Sequence, residues 1–342
     1  MTNYDAIIIG SGIGGTAVGG ILASKGLRTL IVEKNNFIGG RCSTYEKEGF
    51  KVDVGVHSFG RTSKGPLGEV LRLIGRENAI EWSLARNPGP RWFCKGKIWS
   101  FPRELEKLIP ADELPGVVKV FNKVMRIRKT DELDNVDVKT WISKFTKNEL
   151  IHSFINTICG LYFVIPYYEA SAGEFIRCLS SLSADISTGY PKGGCVSIPQ
   201  AYVDGMKKFG GEIKTGKAVK KIEVEDGRVQ GVILENDEFI SSKIVISNAG
   251  IKETINELIG RSYFNKHYLG TIDKLKYSMS ALTLKIALKQ KITEYKVLNS
   301  FSVEDPEEKY KIMLKGKVPD NIDVFAPIPS NYDPSLAPKG KQ

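Results

Sequence analysis

The sequence predicts an α/β protein, a mostly parallel sheet with a β-meander, interleaved with a second unit of α+β character. Three observations predict it. Residues 4–10 (YDAIIIG) form a continuous apolar run of the kind a central strand buried on both faces requires. That run leads directly into Gly10-Ser11-Gly12-Ile13-Gly14-Gly15, a helical pattern and a second apolar strand. After a long stretch of different texture, residues 190–250 return to short strands separated by turn residues.

The opening elements follow in order. The helix runs from Ile13 to Lys25 and closes on Gly26 in the C′ position. A second strand over residues 27–32 ends at Glu33. In a G-x-G-x-x-G turn the first glycine, Gly10, makes the sharp bend, Gly12 lets the backbone approach a pyrophosphate, and Gly15 lets helix and strand pack closely. The helix start at Ile13 and Gly14 offers unsatisfied N–H groups and a positive dipole to phosphates. Glu33, at the second strand end, is placed to accept from a ribose diol, and a carboxylate there disfavours a 2′-phosphate and hence NADP. The glycine pattern alone is weak evidence. Its coincidence with strand, helix and acidic strand end within a unit of about 30 residues is that of a Rossmann-type dinucleotide-binding domain.

Net charge is +10, with 42% hydrophobic and 26% charged residues. The lysines are spread along the chain, and no basic–aromatic groove or nucleic-acid module accompanies them, so no nucleic-acid partner is expected. Cys42, Cys94, Cys159, Cys178 and Cys195 lack C-x-x-C pairing, and His57, His152 and His267 are equally dispersed, so no metal site is expected. Scattered single cysteines, a strand beginning at residue 4 and the lack of a membrane-length apolar run predict a cytoplasmic protein without a signal peptide.

Residues 61–189 read as the first part of the second unit. Helical spacing occurs at Leu67, Val70, Leu71 and Ile74, at Val138, Trp141, Ile142 and Phe145, and across residues 150–163. A hairpin turns at Lys95-Gly96. Trp82, Trp92, Trp99 and Trp141 all fall here, and both an apolar substrate cavity and an ordinary core would use them. Residues 117–129 (VVKVFNKVMRIRK) form a basic amphipathic helix, suited either to peripheral membrane contact or to a solvated domain surface.

From residue 190 the chain is expected to rejoin the first domain. Tyr190-Pro191-Lys192-Gly193-Gly194-Cys195 precedes a helix ending at Gly210-Gly211. Strands over residues 218–224, 228–234 and 238–241 follow, with Asp226-Gly227 and Asn236-Asp237 as turns, and a separate strand over 244–247 re-enters the sheet before Asn248-Ala249-Gly250. The expected division is 1–60 and 190–256 for the dinucleotide domain, 61–189 and 257–342 for the substrate domain.

Three stretches carry a family resemblance. Glu33-Lys34 leads into Gly39-Gly40-Arg41 and then Asp53-Val54-Gly55-Val56-His57. Residues 190–250 follow the order P-x-G-G, helix, G-G-x-I, V-x-x-I, D-G, I-S-N-A. Residues 333–340 read D-P-S-L-A-P-K-G. Together these resemble the phytoene desaturase-like branch of the flavin amine oxidase superfamily. The resemblance implies FAD as cofactor, with Glu33 and Lys34 at the ribose end and Gly39, Gly40 and Arg41 approaching the cofactor. It places Asp53, Gly55 and His57 at its redox end, the backbone around Val219 at the adenine, and Asn248 and Ala249 near the pyrophosphate. Arg41 also reads as an ordinary surface arginine and His57 as a packed loop histidine. The implied activity is hydride transfer between flavin N5 and a small apolar, isoprenoid or carotenoid-like substrate, with no catalytic acid–base pair identified. Amine oxidation and non-catalytic prenyl-lipid binding are the alternatives on the same fold. In relatives the corresponding D-P-x-L-A-P-x-G stretch leads into a further strand, which implies either a complementary C-terminal polypeptide as partner or a natural end at Gln342 with the shortened sheet still holding cofactor through the N-terminal motif.

Overall fold

Strand β1 (Tyr4–Ile9) loses its side chains to the interior, as its unbroken apolar run requires: Ala6, Ile7 and Ile8 are wholly buried. The structure, a computed structural model, describes residues 4–55, 58–86, 88–127, 129–183 and 187–342. Helix α1 (Ile13–Ser24) ends in the hydrogen-bond pattern expected of a glycine at C′, the Gly26 N–H donating to the Ala23 carbonyl and the Leu27 N–H to that of Leu22. This closure uses Leu27, so β2 (Thr29–Val32) begins two residues later than the apolar pattern implies.

The main sheet has six strands in the order Val219–Glu225, Arg228–Leu234, Phe239–Ser247, β1, β2, Glu212–Lys214. Strand Phe239–Ser247 corrects the sequence reading, which divides it in two. Its first half pairs antiparallel with Arg228–Leu234, Ile240 opposite Val232; its second half pairs parallel with β1, Ile246 opposite Ile8. No Gly, Pro, Asn or Asp stands between Ser241 and Ile244, and one strand serves both the meander and the parallel sheet. At the meander's first turn, Asp226 and Gly227 both take positive φ (50° and 72°), the signature of a two-residue hairpin.

The chain forms two units. The first comprises Met1–Ser83, Tyr190–Tyr277 and Asp333–Lys339, the second Leu84–Gly189, Ser278–Tyr332 and Gly340–Gln342. The boundaries thus fall at 83 and 277 rather than 60 and 256. Helix α2 (Pro66–Leu73) belongs to the first unit because the Tyr202 hydroxyl donates to the Leu67 carbonyl at 2.9 Å and Ile74 packs on Gly20. Residues 257–277 stay with it through the Tyr263 hydroxyl on the Val224 carbonyl and Lys252 over the Tyr277 ring. The Asp333 carboxylate accepts the Gly193 N–H at 2.8 Å, fastening its segment to the first unit instead of the second. Burial disfavours the charged form of Asp333, but donors from Gly193 and Ser335 outweigh this and lower its pKa.

The second unit has a four-stranded sheet, Val324–Pro327, Val297–Ser300, Arg91–Cys94, Lys97–Trp99, against helices including Leu114–Arg126, Glu149–Tyr162 and Ala172–Ser183. The hairpin at Lys95-Gly96 forms as expected. Trp92 meets Phe154 edge-on at 5.0 Å, and Trp141 packs on Phe145 and Phe175, so these two tryptophans are core. Trp82, in the first unit, meets Phe59. The basic helix turns Val117, Val120 and Val124 into the core, so its apolar stripe is consumed by packing.

Two outcomes test this packing. A Cβ at Gly15 would lie 2.1 Å from the Gly10 carbonyl oxygen, so Gly15→Ala is expected to cost about 1–3 kcal/mol by overpacking, read as a lower urea midpoint. A variant as stable as the parent would rule out the close contact. His152 is held between the Tyr167 hydroxyl and the Thr146 carbonyl, both at 3.1 Å. Burial chiefly lowers its pKa from 6.5; the Thr146 carbonyl opposes this and the Lys139 charge adds to it. The unfolded chain therefore takes up a proton near pH 6.5 that the folded chain resists. Stability should be complete above 6.5 and decline as pH falls through the folded value, and His152→Gln should flatten that decline in urea titrations across the range.

Candidate functional site

The ends of β1, β2 and Phe239–Ser247 lie level at one edge of the main sheet. The Gly10 N–H donates to the Val32 carbonyl and the Asn248 N–H to that of Ile9, both at 2.8 Å, and the Glu33 N–H to that of Lys214 at 2.9 Å. At this edge α1 starts without a side-chain cap and without an acidic residue in its first turn. The N–H groups of Ile13, Gly14 and Gly15 consequently meet no acceptor among the described residues. The second glycine run comes back to the first: the Gly39 N–H donates to the Ser11 carbonyl at 2.9 Å, and Gly12 and Gly39 form a parallel bridge. Gly39 and Gly40 take φ of 96° and 56°, and a Cβ at Gly40 would touch the Gly12 Cα at 3.7 Å. Both φ values lie in the left-handed region that favours glycine, and a Cβ at Gly39 would come 2.5 Å from the Cys42 carbonyl oxygen.

Glu33 is buried and its carboxylate is fully engaged. One oxygen accepts from the Ser11 N–H and hydroxyl, both at 2.7 Å; the other from the Asn35 N–H at 2.8 Å and side-chain amide at 2.9 Å. A carboxylate has about four acceptor sites, and these four donors fill them. Glu33 stands at the β2 exit, as its sequence position implies, but nothing in the sequence signals that it also ties the glycine turn to that exit. Residues 216–218 run beside this exit, the Gly216 N–H on the Asn35 carbonyl and the Lys217 N–H on that of Glu33, and Val219 opens the strand that leaves the corner. Lys34 is exposed beside it.

Asn248 lies across the glycine turn. A Cβ at Gly12 would come 2.8 Å from its Nδ2, and one at Gly14 2.8 Å from its Oδ1. The exposed Asn248 carboxamide thus stands over the start of α1 with a donor available to a phosphate oxygen. Ala249 is exposed, its N–H on the Ser247 hydroxyl at 3.3 Å. The Arg41 guanidinium is also exposed, with no hydrogen-bond or ion-pair partner among the described residues. Gly55 is strapped to it through the backbone, N–H to the Arg41 carbonyl at 3.1 Å. His57 lies outside the described residues.

Asp53 departs from the expected role at the redox end. It closes strand β4 (Phe50–Asp53), which pairs with β3 (Thr44–Lys47), and its carboxylate is buried among protein donors. The Thr44 hydroxyl (2.6 Å) and Cys195 N–H (3.0 Å) serve one oxygen; the Cys195 thiol (2.8 Å) and Tyr190 hydroxyl serve the other. Burial pushes the Tyr190 phenol and Cys195 thiol well above their ordinary values, so both stay protonated as donors. Asp53 is therefore a clamp joining the hairpin to the Pro191–Cys195 turn. The signal was present as Tyr190 and Cys195 flanking P-x-G-G, but nothing local connects them to Asp53. Asp53→Asn is expected to lower unfolding free energy by about 1.5–3 kcal/mol, the worth of a charge-assisted hydrogen bond, in urea titration of the flavin-free chain. Unchanged stability would dismiss the clamp.

These features fit an anionic dinucleotide: bare helix N–H groups, two glycine runs in contact, an unpaired arginine and a carboxylate at the strand end. The comparisons agree. The chain is 25% identical to the phytoene desaturase of Fusarium fujikuroi, over 98% of its own length and 64% of that protein's. It is 26% identical to the rat all-trans-retinol 13,14-reductase, over 97% and 63%. It therefore spans a little under two thirds of these curated relatives. An oxidoreductase from Methanosarcina mazei shares the fold, with a TM-score of 0.77 at 21% identity, covering 99% of this chain and 77% of that one. The family described as flavin containing amine oxidoreductase matches residues 15–254, a span running from the glycine turn past Asn248. The chain belongs to that family, and its cofactor is FAD.

Proposed function

We propose that this chain is the FAD-holding part of an oxidoreductase that transfers hydride to or from an apolar, isoprenoid-type substrate. The observation that carries the cofactor half is the uncapped start of α1, faced by both glycine runs and Asn248. Bound FAD supplies the two-electron chemistry at flavin N5. The chain's own residues bind and orient it: Ile13, Gly14 and Gly15 N–H groups and the Asn248 amide toward the pyrophosphate, Glu33 toward the ribose, Arg41 toward anionic charge.

Support for an apolar substrate comes from two directions. Phytoene and retinol, in the names of the matched relatives, are both isoprenoid polyenes. Within the second unit the one histidine, His152, has both ring nitrogens engaged and a lowered pKa, which suits structural packing better than proton shuttling. Desaturation, saturation and isomerisation all accord with that arrangement, since the redox work lies with the flavin.

Two measurements test the reading. In fluorimetric titration with FAD, Glu33→Ala should weaken binding about 10- to 100-fold, because losing charge-assisted hydrogen bonds worth about 1–3 kcal/mol frees Ser11 and Asn35 and with them the glycine turn that faces the phosphates. Equal affinity would remove Glu33 from the site. Under anaerobic conditions the FAD-loaded chain should change its flavin spectrum with isoprenoid polyenes and not with small primary amines. Reduction by amines alone favours amine oxidation, and a chain that takes up no FAD favours a non-catalytic lipid binder.

A further inference from the structure

Residues 311–318 of the second unit read Lys-Ile-Met-Leu-Lys-Gly-Lys-Val, and every one of them is exposed. Four carry large apolar side chains that ordinarily seek the interior: Ile312 keeps 40% of its surface open, Met313 45%, Leu314 69% and Val318 81%. No carboxylate stands between Lys309 and Pro319. Lys311 meets Glu308 at 2.7 Å, while the ammonium groups of Lys315 and Lys317 have no acceptor among the described residues. Apolar side chains and free cations thus share one short surface stretch. The basic helix Leu114–Arg126 differs, because its valines are spent on the core.

The local structure keeps this stretch open. Helix Pro306–Leu314 ends on Gly316 at a φ of 71°, with the Gly316 N–H on the Met313 carbonyl (2.9 Å) and the Lys317 N–H on that of Ile312 (3.2 Å). A helix end of this kind commonly closes with an apolar contact from the residue after the glycine back to the last turn. Here that residue is Lys317, and Ile312 and Leu314 stay exposed. Both flanks are held. Glu307 pairs with Lys139, and the Lys309 ammonium meets the Ser302 hydroxyl and the Asp323 carboxylate, both at 2.8 Å. On the other side Pro319 is buried and the Asn321 amide donates to Glu304. The exposed residues are therefore carried on a fixed base.

We propose that residues 311–318 are a contact point that seats on the surface of an anionic phospholipid bilayer. Ile312, Met313, Leu314 and Val318 enter the boundary between headgroups and acyl chains. Lys315 and Lys317 stay among the lipid phosphates, their stems along the apolar surface. The lysines decide for a bilayer over a protein groove. Buried centres of protein interfaces are depleted in lysine, whereas segments lying at a membrane surface carry it beside their apolar side chains. A second copy of this chain would set these lysines against each other. The proposal goes beyond the hydride-transfer reading and stands without it, since no residue of the flavin site takes part.

The test is co-sedimentation of the whole chain with vesicles of equal parts phosphatidylcholine and phosphatidylserine, and with vesicles of phosphatidylcholine alone. The chain should bind the anionic vesicles about tenfold more tightly, and added salt should weaken that binding. Leu314→Ser combined with Val318→Ser should abolish sedimentation with both. Lys315→Gln combined with Lys317→Gln should lower affinity for the anionic vesicles about tenfold and leave that for phosphatidylcholine unchanged. Far-UV spectrum and melting temperature should stay the same in both double variants, because all four side chains are exposed. A chain that does not bind anionic vesicles overturns the proposal, and so does equal binding by the parent and the Leu314/Val318 variant. A lipid-free dimer by light scattering that the Leu314/Val318 variant dissociates assigns the surface to a second copy and overturns it as well.

Discussion

The contact between the two glycine runs is the constraint on which the site depends. Ser11 and Gly12 on one side and Gly39 on the other meet backbone to backbone; a Cβ at Gly12 would come 2.8 Å from the Asn248 amide nitrogen and one at Gly39 2.5 Å from the Cys42 carbonyl oxygen. The geometry imposes three requirements together. The β1–α1 turn must be tight, as the approach of Gly15 to the Gly10 carbonyl requires. Helix α1 must start uncapped, since a capping side chain would occupy the space over its first N–H groups. The segment after β2 must double back over that helix start. One consequence is that the dipole and N–H donors of α1 stand beside the Gly39–Gly40 backbone.

Asp53 shows how a motif can be shared by ligand binding and by folding. The D-x-G-x-H stretch resembles a cofactor-lining segment, and Gly55 does lie against Arg41 through its backbone. The Asp53 carboxylate faces the other way, into Thr44, Tyr190 and Cys195. A buried carboxylate without donors would be strongly destabilising, so four donors around it are a condition of its being there. They also join the hairpin after the glycine run to the turn that opens the chain's return at residue 190. The positions of Gly39, Gly40 and Arg41 are thus secured by a residue that need not touch cofactor.

What the sequence made legible is local. The apolar run of β1, the C′ glycine at Gly26, and the turns at Lys95-Gly96 and Asp226-Gly227 each depend on residues a few positions apart, and each is found where expected. The illegible parts depend on distance. Cys195 donates to Asp53 across 142 residues of sequence, and no periodicity encodes that. Strand Phe239–Ser247 was read as two because its partners change halfway along, from an antiparallel neighbour to a parallel one, and a partner change leaves no mark in composition. The tryptophans were ambiguous for a related reason: aromatic side chains serve cores and cavities alike, and only the neighbours Phe154, Phe145 and Phe175 settle the matter for Trp92 and Trp141.

In the proposed FAD site, the full engagement of Glu33 sets the terms of ribose recognition. Two of its four donors, the N–H groups of Ser11 and Asn35, belong to the backbone and are fixed by the fold. The other two, the Ser11 hydroxyl and the Asn35 amide, are side-chain groups that can rotate away. A ribose diol accordingly exchanges one or two good hydrogen bonds for others of similar strength, and the net gain of such an exchange is small. Affinity then rests mainly with the phosphates at the bare start of α1, where no competing acceptor has to be displaced. Direct contact of Glu33 with the ribose contributes discrimination instead. Its two oxygens are held by the Ser11 and Asn35 N–H groups, so a 2′-phosphate meets acceptor oxygens that the backbone keeps in place.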